Sequence, residues 1–77
     1  MAISAYIFVE CLQGKAIEVN AALAQMDGVK QSHVITGPID VIAFVEAEDI
    51  DRLGKFVVDK IQSIGGVLRT STNIVTA

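Results

Sequence analysis

The spacing of apolar residues changes several times along this chain, and these changes restrict the folds it can adopt. Over residues 3–12 apolar side chains alternate with other residues, a period of two that is typical of a β-strand. Over residues 14–26 apolar positions recur every three or four residues, as on one face of a helix, and Asp27-Gly28 can end that helix because glycine adopts left-handed backbone conformations. The chain therefore begins with a strand and a helix.

The rest of the chain predicts three more strands and a second helix. Gly37-Pro38 interrupts two β-forming runs and so predicts a hairpin, Asp49 is placed to cap the helix, and Gly65-Gly66 closes it. These elements are predicted over residues 29–36, 40–47, 50–64 and 67–75. The predicted order is β-α-β-β-α-β.

Right-handed crossover connections convert this order into one sheet topology. Each β-α-β unit leaves a gap that a strand of the other unit fills, which predicts an antiparallel sheet with strand order 4-1-3-2. Strands one and three are apolar on both faces, as central strands are, whereas strands two and four are polar, as edge strands are. We therefore predict a single α+β domain over residues 1–77 with a ferredoxin-like βαββαβ fold.

The chain is too small to be stabilised by one core alone. In a domain of 77 residues the core contributes only about 3–5 kcal/mol, and small domains add disulfides, a metal or a partner subunit. The chain has one cysteine, Cys11, and one histidine, His33, which nearly excludes the first two. Self-association is therefore the remaining way for a domain of this size to gain stability.

Two helices cover only one face of a four-stranded sheet, so the other face is open. By alternation the open face carries Tyr6 and Phe8 from strand one, with either Ile42 and Phe44 or Val41 and Val45 from strand three. Monomers rarely expose a contiguous apolar patch of this size. We expect a second subunit to cover this face, sheet against sheet.

Charge and hydropathy argue against two classes of partner. The net charge is −3 and the basic residues are spread singly, so no cluster can neutralise a row of phosphates. The longest apolar run, residues 41–45, is far shorter than the roughly 20 residues that span a bilayer, and the N-terminus lacks a signal-peptide pattern. We expect no direct nucleic-acid or membrane partner, and a cytoplasmic protein.

The chain offers few groups for catalysis. Cys11 is expected to be a small core residue and His33 to be exposed on an edge strand. Tyr6 could donate a proton inside a barrel, but an interface aromatic is the commoner explanation. Since no metal-ligand spacing, phosphate loop or acid pair stands out, we expect no enzyme, metal or cofactor.

Asp40 and a run of hydroxyl residues are better suited to binding. An aspartate at the foot of a central strand needs donors or a cation, and an Asx turn or a cation site would satisfy it equally well. Thr70-Ser71-Thr72 either form a plain edge strand or supply neutral hydrogen-bond donors. With backbone N–H groups near Gly37, these residues suit the ammonium and carboxylate of a free amino acid.

The segment Val34-Ile35-Thr36-Gly37-Pro38-Ile39-Asp40, the capped second helix and the closing Thr70-Ser71-Thr72 resemble the effector-binding domain of the Lrp/AsnC (feast/famine) transcriptional regulators. The resemblance covers essentially the whole chain, and Ile39 replaces the aromatic of the family's Gly-x-Tyr-Asp motif. It implies a dimeric α/β barrel that assembles into octamers or decamers and binds amino acids between subunits. The ligand-binding residues that it implies are Gly37, Pro38, Ile39, Asp40, Thr70, Ser71 and Thr72.

The family's regulators carry an N-terminal helix-turn-helix, whereas this chain begins at strand one. The resemblance therefore implies a stand-alone module that co-assembles with a full-length Lrp/AsnC regulator in the control of amino acid metabolism. Two alternatives remain open. One is a cofactor-free dimeric α/β-barrel enzyme, an isomerase or small monooxygenase using Tyr6 or His33, and the other is a structural assembly partner without a ligand.

Overall fold

Strand and helix periodicities alternate along the sequence, and the computed structural model, which describes residues 2–77, contains the corresponding elements. The strands are β1 (Ile3–Cys11), β2 (Val29–Val34), β3 (Val41–Ala47) and β4 (Val67–Ile74), and the helices are α1 (Ala16–Ala24) and α2 (Ile50–Phe56). A π-helical turn, Val57–Ile61, follows α2 directly. The predicted element order is confirmed.

The four strands form one antiparallel sheet with the order β2-β3-β1-β4. Read from the other edge, this is the predicted order 4-1-3-2, so the ferredoxin-like fold is confirmed. The central strands β1 and β3 pair from Ile3 with Ala47 to Val9 with Val41. Both outer pairings contain a bulge, which interrupts their register.

One face of the sheet and the helices enclose the hydrophobic core. On β1 every second side chain, Ala5, Ile7 and Val9, is 0% exposed, because the pleat sends alternate residues to the same face. β3 contributes its own alternate residues, and the helices cover them with side chains spaced three or four apart. The other core residues are Val19, Leu23, Val41, Ala43, Val45, Leu53, Val57 and Ile61.

α1 is shorter than predicted. It ends at Ala24, and the chain then turns, with the N–H of Met26 donating to the carbonyl of Leu23 at 3.0 Å. Gly28 is left-handed, with φ 95°, but it lies at the entry to β2 rather than at the end of the helix. Its carbonyl accepts the N–H of Glu46 at 2.9 Å, so a contact with β3 fixes its position.

The second helix begins as predicted but does not continue as one regular helix. Asp49 caps it, because its Oδ1 accepts the N–H of Arg52 at 2.7 Å. Beyond Phe56 the backbone widens, and the N–H of Gln62 donates to the carbonyl of Val57, five residues earlier, at 2.8 Å. Apolar spacing alone does not distinguish this turn from a regular helix.

Candidate functional site

Two surfaces of the sheet carry the residues that the sequence analysis singled out. One is the open face, opposite the helices. The other is the Asp40 end of the sheet, where β1 and β2 stop and β3 and β4 start. Within residues 2–77 no helix is long and apolar enough to cross a membrane, and this part of the chain contains no cluster of three or more His, Cys, Asp or Glu that could hold a metal ion.

The centre of the open face is apolar. Across β1 and β3, Tyr6 pairs with Phe44 and Phe8 pairs with Ile42, so Ile42 with Phe44 is the correct one of the two predicted sets, and the other set belongs to the core. The ring centroids of Tyr6 and Phe44 lie 4.9 Å apart, within the range of a favourable aromatic pair. Tyr6 is nevertheless 44% exposed, so the patch is accessible to a partner.

Polar residues border the apolar centre on both sides. They are Gln31 and His33 on β2, and Ser71 and Asn73 on β4. All of them are exposed, and for His33 this agrees with the sequence prediction. An apolar centre inside a polar rim is the usual anatomy of a protein interface.

Asp40 connects the ends of three strands. Its N–H donates to the carbonyl of Val9 at 3.1 Å, and its carbonyl accepts the N–H of Ile35 at 2.9 Å. Its carboxylate Oδ2 accepts the N–H of Cys11 at 2.8 Å. Because β3 starts only after Asp40, this side chain replaces the main-chain acceptor that a longer β3 would offer to β1. The carboxylate therefore bonds a neighbouring strand rather than the hairpin turn.

Asp40 also leaves a negative charge at this end of the sheet. Glu10, on the adjacent strand, pairs with Arg69 at 3.8 Å, whereas the ion pairs within residues 2–77 do not include Asp40. Asp40 is half-buried, and the bond made by Oδ2 leaves Oδ1 for a cation. A bound ammonium group would neutralise this charge.

Gly37, Pro38 and Ile39 form the turn that leads into Asp40. Gly37 has φ 141°, and a Cβ added there would meet nothing within 4 Å, so backbone conformation alone explains this glycine. Gly37 and Pro38 are exposed, and Ile39 is half-buried. The turn thus places apolar residues directly before the carboxylate.

The three hydroxyl residues of β4 do not share one surface. Thr70 pairs with Val9 and Thr72 with Ile7, which puts both threonines on the core side of the sheet, whereas Ser71 lies on the open face. β1 lies between β4 and β3, so the hydroxyls are about 10 Å, or two strand spacings, from β3, the strand that follows Asp40. A single chain therefore does not gather Asp40 and these hydroxyls into one site.

Gln62 is a polar contact of β4 that the sequence analysis missed. Its Nε2 donates to Oγ1 of Thr70 at 3.0 Å, and it borders a cleft of about 360 Å³ that is also lined by Val67, Leu68 and Arg69. Gln62 follows the π-helical turn, whose position the apolar spacing does not reveal. No signal in the sequence marks this residue.

Cys11 packs against the core but is only half-buried, so the prediction of a core cysteine is met in part. Burial and the negative charge of Asp40 raise the pKa of its thiol above the ordinary value. The thiol of Cys11 is therefore electrostatically coupled to the Asp40 carboxylate, and it can report on that charge.

We expect Asp40→Asn to make Cys11 more reactive. The amide oxygen can still accept the N–H of Cys11, but the negative charge is gone, so the pKa of the thiol falls and the thiolate forms at lower pH. The rate of alkylation by iodoacetamide, followed as a function of pH, should rise at lower pH than in the wild type. Glu10→Gln is the matched control and should leave the profile in place. The same profile for Asp40→Asn and wild type would contradict the coupling.

The fold and the site define the class of this protein as a ferredoxin-like α+β domain with an open apolar sheet face and a charged strand end. The family profile of the "Lrp/AsnC ligand binding domain" matches residues 4–77, and the chain belongs to this family. The resemblance noted in the sequence is therefore confirmed over nearly the whole chain.

Known proteins that resemble this chain include longer regulators and a solved chain of similar length. The HTH-type transcriptional regulator PH0140 of Pyrococcus horikoshii is 31% identical over 75 residues, which are 97% of this chain and 48% of PH0140. The chain thus spans less than half of this relative. The crystal structure of FFRP-DM1 has a TM-score of 0.91 at 32% identity, covering 96% of this chain and 99% of that one.

A more distant structure shares the fold. The transcriptional regulator NMB0573 from Neisseria meningitidis, solved as a complex with L-Met, has a TM-score of 0.87 at 23% identity. The match covers 97% of this chain and 50% of NMB0573. At this identity the comparison supports the fold alone.

Proposed function

We propose that this domain is a self-associating module that binds an amino-acid effector and acts in transcriptional regulation. Its membership of the Lrp/AsnC ligand binding domain family supports a regulatory binding role. NMB0573, a regulator with the same fold, was solved as a complex with L-Met, and an amino acid is the class of ligand that we propose for this domain as well. The observation on this chain that carries the proposal is the Asp40 carboxylate, which has a free oxygen and no ion pair within residues 2–77.

The open face supports the proposed self-association. Tyr6, Phe8, Ile42 and Phe44 form an apolar centre on the side of the sheet that the core residues do not use. A second copy of the same face would cover it without leaving charged groups unpaired at the centre. The same surface would allow co-assembly with a full-length regulator of the family.

The ligand site is proposed to be shared between copies. Asp40 would bind the ammonium group, and Gly37, Pro38 and Ile39 would line the turn beside it. Thr70, Ser71 and Thr72 would meet the carboxylate from another copy, since β1 separates them from Asp40 within one chain. These groups bind and orient without bond-making, so a non-enzymatic role is proposed.

A thermal-shift screen over the twenty amino acids tests this function. A ligand at 100 times its dissociation constant stabilises a folded protein by about 2.7 kcal/mol, which is about 10 °C or more for a domain of this size. Asp40→Asn should weaken binding by about tenfold to a hundredfold, because a charge-assisted hydrogen bond becomes a neutral one.

Asp27→Asn is the matched control, because Asp27 is an exposed aspartate near the start of β2, at the other end of the sheet. It should bind the effector as the wild type does. No shift with any amino acid, or equal affinity of wild type and Asp40→Asn, would refute the proposed site. Native mass spectra recorded in parallel should show bound ligand only on assemblies of two or more chains.

A further inference from the structure

The outer face of α1 is apolar, although within one chain it lies in solvent. Seven of the nine residues of α1 are apolar, but only Val19 and Leu23 are buried. Ile17 is 77% exposed, the highest value among the large apolar side chains of residues 2–77. A helix that is apolar all round is normally buried on all sides, so a partner is expected on this face.

The exposed apolar residues of α1 form one continuous stripe. Ile17, Ala21 and Ala24 are four and three residues apart, the spacing of one helix face, and all three are exposed. Ile17 precedes the buried Val19 by two residues, about 200° around the helix, so the stripe points away from the core. Glu18 is the one charged residue of α1. The stripe itself therefore carries no charge.

α2 has the usual composition of a helix that faces solvent. Its exposed residues include Asp51, Arg52 and Lys55. Arg52 pairs with Glu48 at 2.8 Å, and Lys55 pairs with Asp59 at 3.1 Å. The two helices lie on the same side of one sheet but present different surfaces. The difference points to a contact that α1 makes and α2 does not.

We infer that the stripe of α1 binds the same stripe of a second copy, antiparallel and about a two-fold axis at Ala21. The inference rests on the self-association in the proposed function and not on its ligand. Small side chains let two helices approach closely. The arrangement brings the bulky Ile17 of each copy against the small Ala24 of the other. The stripe is thus complementary to itself, as a two-fold contact requires.

The charges beyond both ends of the stripe fit the same arrangement. Lys15 and Asp27 lie six residues before and after Ala21, and both are exposed. The two-fold axis therefore places Lys15 of each copy opposite Asp27 of the other. Asp27 has no ion pair within residues 2–77, and Lys15 has only a long one of 3.7 Å to Glu18. Charges at the rim of a contact fix its orientation more than its affinity.

This contact is too small to hold two copies together by itself. Three residues of one helix cover far less than the roughly 1,200 Å² of a specific interface. The contact therefore acts between copies that the open face has already joined. Because α1 lies on the core side of the sheet, opposite the open face, one copy can make both contacts at once. Together they join dimers into larger assemblies.

Sedimentation velocity of two matched variants tests this contact. Ile17→Glu should reduce the wild-type assembly to dimers, because losing one buried isoleucine weakens an association about tenfold to a hundredfold, and the change occurs twice in a two-fold contact. Ile50→Glu is the control, since Ile50 is 61% exposed and lies in the first turn of α2, as Ile17 does in α1. It should keep the wild-type mass. Both glutamates lie near a helix N-terminus, where negative charge is favourable, so both variants should unfold no lower than the wild type.

Cross-linking tests the position of the two-fold axis. In a Cys11→Ser background, oxidation by diamide should link Ala21→Cys to its copy, since residues on the axis face each other. Ala24→Cys is the control on the same stripe, because the two Ala24 positions lie about 9 Å apart along the helices, beyond the reach of a disulfide. Equal cross-linking of the two variants would contradict the antiparallel arrangement.

The outcomes separate this inference from the proposed function. If Ile17→Glu keeps the wild-type mass, the α1 contact is wrong while the proposed self-association stands. If the wild type is a monomer, the proposed self-association fails and the inference fails with it. A larger wild-type assembly that Ile17→Glu reduces to dimers, with no amino acid bound, supports the inference and refutes the proposed ligand.

Discussion

Replacing Phe44 with glutamate is expected to convert the assembled protein into monomers. Phe44 lies at the centre of the open face, where its ring packs against the tilted ring of Tyr6. In a sheet-to-sheet dimer the new carboxylate would be buried without a cation, which costs about 3–5 kcal/mol. The dimer should therefore dissociate at least about a hundredfold more readily. Sedimentation velocity at micromolar concentration measures this directly.

Val58→Glu provides the control for this experiment. Val58 is also an exposed apolar residue, 58% accessible, but it belongs to the π-helical turn on the helical side of the sheet. Its variant should keep the wild-type mass. Tyr6→Glu, at a more exposed position of the same patch, is a second variant in case Phe44→Glu does not fold. Wild-type mass in both folded face variants would refute the proposed interface.

Gly66→Ala is expected to destabilise the fold strongly. Gly66 has φ 100°, a conformation that costs a residue with a Cβ roughly 1–2 kcal/mol. A Cβ there would also lie 2.9 Å from Cβ of Lys15 and 3.2 Å from Cγ2 of Val19, and overpacking costs about 1–3 kcal/mol. The expected loss is about 2–5 kcal/mol, much of the stability that a core of this size provides.

Thermal unfolding of three glycine variants separates the two contributions. Gly65→Ala has open space around its Cβ and no left-handed φ, so its unfolding midpoint should stay near that of the wild type. Gly14→Ala has φ 79° but open space, and it should show the backbone cost alone. Gly66→Ala should have the lowest unfolding midpoint, about 10 °C or more below that of the wild type. Equal midpoints for Gly66→Ala and Gly14→Ala would mean that the contact with Lys15 and Val19 is relieved at no cost.

The sequence predicted the elements and the topology because local patterns determine both. The alternation around Ile7, the helical spacing of Leu53 and Ile61, and the cap at Asp49 depend on residues close in the chain. Chirality then restricts how such elements connect. The end of α1 and the π-helical turn were missed, because contacts from other elements, such as the Gly28 bond to Glu46, decide where a helix stops.

The candidate site was predictable in its residue types but not in its geometry. Asp40 stood out because an aspartate at a strand start needs partners, yet an Asx turn and a cation both stayed open, and only the structure shows its carboxylate accepting the N–H of Cys11 on β1. Thr70, Ser71 and Thr72 are adjacent in sequence, and only the register with Ile7, Phe8 and Val9 shows that they divide between two faces. Gln62 is identified as part of this region only by its hydrogen bond to Thr70 in the structure.

By itself the sequence determined a βαββαβ domain with an apolar open face, since periods of two and of three to four residues are properties of neighbouring positions. The tertiary structure alone decided which residues of β3 form that face, which strand the Asp40 carboxylate bonds, and where the pairing of β1 with β4 contains a bulge. These features depend on register between distant strands. A shift of one residue exchanges the two faces of a strand, and a single bulge introduces such a shift without leaving a mark in the sequence.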